Sequence, residues 1–149
     1  MASSYPKVRT HQPKAFDPSV PFVIGMTARL NGINDHATLL RAFCEIVSKY
    51  KNIRLKLASD GELGLELEAL ANELSIADEV KFLENVGDIY SVLSRWDLFI
   101  FSTTEREGLG NALSEAMALG LPCVVSDVGP NPTISSIYRD NSFGYSARC

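Results

Sequence analysis

The amino-acid sequence predicts an α/β domain, doubly wound around a mainly parallel sheet of about six strands. Two observations carry that reading. Short apolar runs alternate, from Phe22 onward, with longer segments whose apolar residues recur at helical spacing. The runs are almost continuously hydrophobic, as strands covered on both faces require. A third observation concerns function: the residues able to do chemistry gather just after the ends of these runs, where open parallel sheets hold their ligands.

The elements follow in order. Residues 1–20 hold three prolines and no sustained periodicity, so they read as a linker or extended arm. Residues 21–149 form the domain. Phe22 to Ala28, FVIGMTA, is a first buried strand that delivers Arg29 to its carboxyl end. Asn31-Gly32 turns the chain, and Asp35 is placed to cap a helix running to about Tyr50 on Leu39, Leu40, Phe43, Ile46, Val47 and Tyr50. Ile53 to Ala58 is a second strand, ending in Ser59-Asp60-Gly61. Leu63, Leu67, Leu70 and Leu74 form one helical stripe, Val80 to Leu83 a short strand, and Ile89, Val92, Leu93 and Trp96 a brief helix. Asp97 to Phe101 is the next buried strand, and Pro122 to Val125 another. A weak helix near Ile134–Ile137 and a last strand near Phe143–Ala147 complete the pattern. Trp96 and Met117 are assigned to the core.

Composition narrows the function. A chain of 149 residues, 46% hydrophobic and 21% charged, fits one soluble globular domain with a proper core. A net charge of -4 without a basic block argues against nucleic acid as the main partner. Three cysteines without metal-binding or redox spacing point to inert thiols at Cys44 and Cys123 and to a reducing, cytoplasmic setting. No apolar run reaches the length of a membrane span.

The segment Ser102 to Gly129 carries the densest signal. Glu107 and Glu115 stand in it with seven residues between them. Leu109, Ala112, Leu113, Ala116, Met117 and the closing Gly120 follow helical spacing, so one helix face packs on the sheet. Glu107 lies just before that helix, flanked by Gly108 and beside Gly110. There unpaired N–H groups and the positive end of the helix dipole can hold an anion, and glycines admit it closely. Glu115, two turns along, can accept hydrogen bonds from vicinal hydroxyls. Arg29 offers a planar, permanently charged fork suited to phosphate oxygens; its plain alternative is a surface arginine paired with a carboxylate. His36 is read as a solvated histidine in a first helical turn, and Glu105 as a solvated carboxylate.

The run E-G-L-G-N-A-L-S-E-A-M-A-L-G-L-P-C-V-V-S-D-V-G resembles the Glu-x7-Glu signature of retaining glycosyltransferases of the GT-B fold, glycosyl transferases group 1. The similarity extends more loosely from about Pro21 to Gly144. It implies a Rossmann-like domain, the C-terminal, donor-binding half of a GT-B enzyme, with residues 1–20 as the connection from an N-terminal acceptor domain. It also implies further helices beyond Cys149, and thus a domain truncated at its C-terminal end.

On that resemblance the substrate is a UDP- or GDP-sugar, and the reaction moves a hexose to a glycan or lipid-linked acceptor, with peripheral membrane association open. Glu107 touches the donor sugar and Arg29 the diphosphate, as catalytic residues. Gly108, Leu109 and Gly110 offer main-chain N–H groups to the diphosphate, and Glu115 holds the ribose hydroxyls. Ser59 and Asp60 stand where the family has a glycine-rich turn facing the site, and Glu84 to Val86 where it meets the base. The family's second clamping cation, a lysine, falls here on Asn34, which can donate a hydrogen bond but carries no charge. That departure makes a nucleotide-sugar-binding module without turnover the alternative. No Asp-x-Asp pair appears, so no cofactor or metal is required. A phosphorylase relative would need a pyridoxal phosphate lysine, for which no motif is present. The I-N-D-H-A-T-L-L-R-A-F segment suggests bacterial surface-polysaccharide synthesis.

Overall fold

A computed structural model describes residues 17–28, 34–58, 61–102 and 111–126. Five parallel strands, β1 (Phe22–Met26), β2 (Ile53–Ala58), β3 (Val80–Leu83), β4 (Leu98–Phe101) and β5 (Cys123–Val125), lie in the order β3-β2-β1-β4-β5. Four helices connect them: α1 (His36–Lys49), α2 (Gly64–Glu73), α3 (Ile89–Leu93) and α4 (Asn111–Ala118). The predicted doubly wound α/β fold is the one observed. The sixth strand near 143–147 and the helix near 134–137 lie outside the described residues.

Two cores sandwich the sheet. Ile24 and Met26 of β1, with Leu55 and Leu57 of β2, face α1 and α2 through Leu39, Leu40, Phe43, Leu67 and Ala71. The opposite face carries Ala58, Phe99 and Phe101 against Leu93, Trp96, Leu113 and Ala116. Alternate residues of each strand therefore point to different helix layers, which is why β1 and β4 are apolar throughout, while β2 and β3, toward the edge of the sheet, carry Arg54, Lys56 and Lys81. Trp96 has no exposed surface and lies near-parallel to Phe99, ring centres 6.4 Å apart. Gly25 gives it the room. A Cβ on Gly25 would lie 2.1 Å from Trp96 Cε3.

Local chemistry sets the element ends. Asp35 caps α1, its Oδ1 accepting from the Thr38 N–H at 3.1 Å. Asp97 starts β4 by extending the ladder to β1: its N–H donates to Val23 O, and its Oδ2 accepts from Val23 N–H, both at 2.8 Å. Helices α2 and α4 end alike. Ile76 N–H reaches Ala71 O and Ser75 N–H reaches Asn72 O; Leu121 N–H reaches Ala116 O and Gly120 N–H reaches Met117 O. Both turns place one residue in the left-handed region, Ser75 at φ 58° and Gly120 at φ 75°. Only glycine adopts that conformation without strain. Gly120→Ala is therefore expected to lower unfolding free energy by about 1 kcal/mol, and Ser75→Gly to raise it by up to about 1 kcal/mol. Urea unfolding midpoints of the two variants check both signs.

Three core assignments are corrected. Met117 is 36% exposed and Tyr50 63% exposed. Both satisfy helical spacing, but α4 buries the Leu113–Ala116 stripe and leaves Met117 at its margin. Tyr50 is the residue that ends α1, where the backbone has already turned extended. Phe22 opens β1 at 41% exposure, so the first strand is covered on both faces only from its middle onward. At the end of the expected arm, the Asn52 side chain donates to Pro18 O at 2.9 Å, fastening this stretch beside the start of β2.

Candidate functional site

The chain winds outward from β1 through β2 to β3, then returns to the other side of β1 for β4 and β5. The connections leaving β1 and β4 consequently diverge, opening a crevice at the carboxyl ends of these two neighbours. Register keeps those ends level: Met26 lies opposite Leu57, Ala58 opposite Leu83, and Phe101 opposite Val125.

Buried polar groups collect at this switch point. Thr27, the first residue after β1, is buried, and its Oγ1 finds no hydrogen-bond partner among the described residues. Asn34 and His36, at the far end of the same connection, are 5% and 2% exposed. The Asn34 carbonyl accepts from the His36 main-chain N–H at 3.1 Å and lies 3.3 Å from His36 Nδ1. His36 Nε2 is buried without a partner. Ser102, directly after β4, ties the two connections together: its O accepts from Asp35 N–H at 3.1 Å, and its Oγ donates to Asp35 O at 2.9 Å. Ser126 extends the row after β5, its N–H donating to Phe101 O at 3.0 Å.

His36 corrects the reading of a solvated histidine. It occupies the first turn of α1, but that turn is pressed against the end of β4 instead of facing water. Burial pushes its pKa below the ordinary 6.5, against the opposing pull of the Asn34 carbonyl and the Asp35 charge.

Of the residues expected in the site, Arg29, Ser59, Asp60, Glu107, Gly108, Leu109 and Gly110 lie outside the described residues. Chain continuity still fixes their origin: Arg29 follows Ala28 beyond β1, Ser59 follows Ala58 at the end of β2, and Glu107 to Gly110 lead from β4 into α4. Glu115 is described. It sits half-buried in the middle of α4, three residues after Ala112 and four before buried Leu119, at the border of the packed stripe. Asn34 lies inside the crevice wall with its carbonyl engaged by His36. After β3, Glu84 and Asn85 are exposed and Val86 is half-buried, with Asn85 in a left-handed turn at φ 51°.

Sequence reasoning passed over Thr27. Its signal was present, a hydroxyl at the first position after the run FVIGM, but it was absorbed into the strand. Among the described residues no group of three or more His, Cys, Asp or Glu side chains could hold a metal ion. No described helix is long and apolar enough to cross a membrane. Cys44 and Cys123 are half-buried thiols, with Sγ atoms 3.6 Å from Leu74 O and 3.1 Å from Leu121 O.

Open sheets of this strand order commonly hold ligands at such a crevice, and the fold is that of a doubly wound, Rossmann-like α/β domain. The chain belongs to the glycosyl transferases group 1 family, whose model matches residues 21–143. It is 34% identical over 105 residues to EpsF of Bacillus subtilis, named as a glycosyltransferase, covering 70% of this chain and 27% of that protein. It is 33% identical over 115 residues to the capsular polysaccharide biosynthesis glycosyltransferase CapM of Staphylococcus aureus, covering 72% of this chain and 28% of CapM. The Anabaena HepE structure in complex with UDP and glucose superposes with a TM-score of 0.67 at 26% identity, over 75% of this chain and 31% of HepE. The sheet is thus the Rossmann-like unit of a GT-B glycosyltransferase. The chain spans between a quarter and a third of the length of these relatives.

Proposed function

We propose that this chain is the donor-binding domain of a retaining glycosyltransferase that takes a UDP- or GDP-hexose and serves surface-polysaccharide synthesis. The observation that carries this reading is the switch-point crevice, walled by Thr27, Asn34, His36 and Ser102, from which the Glu107-x7-Glu115 segment leads directly into α4. The nucleoside diphosphate lies over Gly108, Leu109 and Gly110, whose main-chain N–H groups and helix dipole face its charge. Arg29, with Asn34, Ser59 and Asp60 around it, stabilises the leaving diphosphate. That is electrostatic preorganisation supplied by the protein's own groups. Glu107 orients the sugar hydroxyls near the transferring carbon. Glu115 accepts from the two ribose hydroxyls. Support for the donor class comes from HepE, which holds UDP and glucose, and for the setting from the name of CapM.

The acceptor, a glycan or lipid-linked sugar, approaches from an N-terminal domain in the longer protein, which can rest on the inner face of the membrane. In this reading the isolated chain binds donor without efficient transfer. A nucleotide-sugar-binding module without turnover is the second reading, favoured by one observation: a neutral, buried Asn34 stands where the family carries a lysine.

Calorimetric titration with a panel of UDP- and GDP-sugars tests the donor site. Glu115→Ala removes a charged acceptor of two hydroxyl donors, so the preferred nucleotide is expected to bind about tenfold to a hundredfold more weakly. Affinity unchanged by that substitution, or no affinity of the unaltered chain for any nucleotide sugar, contradicts the assignment.

A further inference from the structure

We infer that His36 is a positioning residue for the nucleotide-sugar site, holding through the Asn34 carbonyl the short stretch 34–36 whose middle residue, Asp35, is bonded to Ser102 at the end of β4. The inference rests on the donor-site reading above and adds to it a residue that touches no substrate.

The geometry assigns the protonation state. A carbonyl oxygen can only accept, so the Asn34 contact at 3.3 Å requires the proton on Nδ1. Nε2 is buried with no partner, and a proton there would be an N–H donor without an acceptor in a place closed to water. Of the three states of an imidazole, the neutral one protonated at Nδ1 alone satisfies the carbonyl and buries no orphan donor. Asp35, on the connection itself, is an ionised neighbour that acts on the ring.

The consequence reaches both catalytic connections. His36 grips Asn34 through its main chain and its ring, and Asp35 between them is bonded twice to Ser102. The clamp therefore fixes one end of the span from Thr27 to Asp35, which carries Arg29. It fixes equally the start of the span after Ser102, which carries Glu107 to Gly110. Losing it is expected to weaken the hold on the diphosphate.

Protonation has a defined sign. Because the folded protein favours the neutral ring, His36 contributes stability in full above the ordinary pKa of 6.5, and that contribution is lost as the pH falls below it.

The test is UDP binding by calorimetry to the unaltered chain and to His36→Ala, His36→Asn and His36→Gln. Asparagine places a donor where Nδ1 stands, glutamine where Nε2 stands. Expected are a loss of about tenfold or more for His36→Ala and His36→Gln, and affinity within about threefold of the original for His36→Asn. If His36→Ala fails to fold, the asparagine and glutamine variants decide the matter. Equal affinities in those two, or rescue by glutamine alone, overturn the inference while leaving the donor site standing. An unaltered chain that binds no UDP overturns the donor-site reading and this inference with it.

Discussion

Gly25→Val is expected to leave the domain without a stable fold. The position sits in the central strand, between β2 and β4, and faces the ring of Trp96. The first added carbon would lie 2.1 Å from Cε3 and 2.3 Å from Cδ2 of the indole, well inside contact distance. β1 is hydrogen-bonded on both sides and cannot move away, so the indole must leave. Overpacking alone costs about 1–3 kcal/mol, and displacing a fully buried tryptophan from the core about 3–5 kcal/mol more. A domain of this size has about 5–15 kcal/mol in total. Gly87→Val provides the contrast, because no atom lies within 4 Å of a Cβ built there. Thermal unfolding followed by circular dichroism should show a cooperative transition for Gly87→Val and none, or one sharply lowered, for Gly25→Val. A melting temperature for Gly25→Val equal to the original would mean that Trp96 does not lie against this strand.

The second large effect belongs to the chemistry. In a two-domain protein that joins this chain to an acceptor domain, Glu107→Gln is expected to reduce kcat by about a hundredfold to a thousandfold, with a smaller change in KM for the donor. The substitution keeps the size, removes the charge and turns one accepting oxygen into a donating NH2. Glu107 enters the span between β4 and α4 beside two glycines, where a carboxylate can orient sugar hydroxyls as positive charge develops on the transferring carbon. A structural glutamate complementing the start of α4 would contribute only about 0.3–1 kcal/mol to stability and nothing to turnover. Steady-state rates with saturating donor separate the two roles. Retention of kcat within about tenfold removes Glu107 from the reaction. A longer protein that binds donor yet turns nothing over, even before substitution, favours the binding-module reading that Asn34 raises.

The fold was legible where periodicity and composition act alone. Ile53–Ala58 and Val80–Leu83 were read to the residue, because the apolar positions of each run stop abruptly at polar turn residues, Ser59-Asp60-Gly61 after the first and Glu84-Asn85 after the second. The Asp35 cap was equally plain, since a short carboxylate before an apolar-periodic run has few other uses. Element margins were not. Met117 and Tyr50 share the spacing of their buried neighbours, and spacing does not say where a helix outruns the sheet beneath it. Gly25 could be seen as a glycine in a strand, but its reason, the indole of a residue 71 positions later in the chain, exists only in three dimensions.

The candidate site divides the same way. The Glu107 to Gly129 segment announced itself through many constrained positions at once, and Asn34 through one missing charge. His36 and Thr27 did not, because each looks ordinary in sequence. Their meaning comes from the strand order, which sets the start of α1 against the end of β4 and closes both side chains off from water. Ser102 was noted as a strand-end residue, yet its two bonds to Asp35 depend on a neighbour 67 residues distant in sequence.

The most direct measurement is a crystal structure of the domain with UDP bound. The account predicts the diphosphate over the carboxyl ends of β1 and β4, with the Glu115 carboxylate within hydrogen-bonding distance of both ribose hydroxyls. Nucleotide seated elsewhere on the domain, or a Glu115 side chain turned away from the ribose, would contradict it.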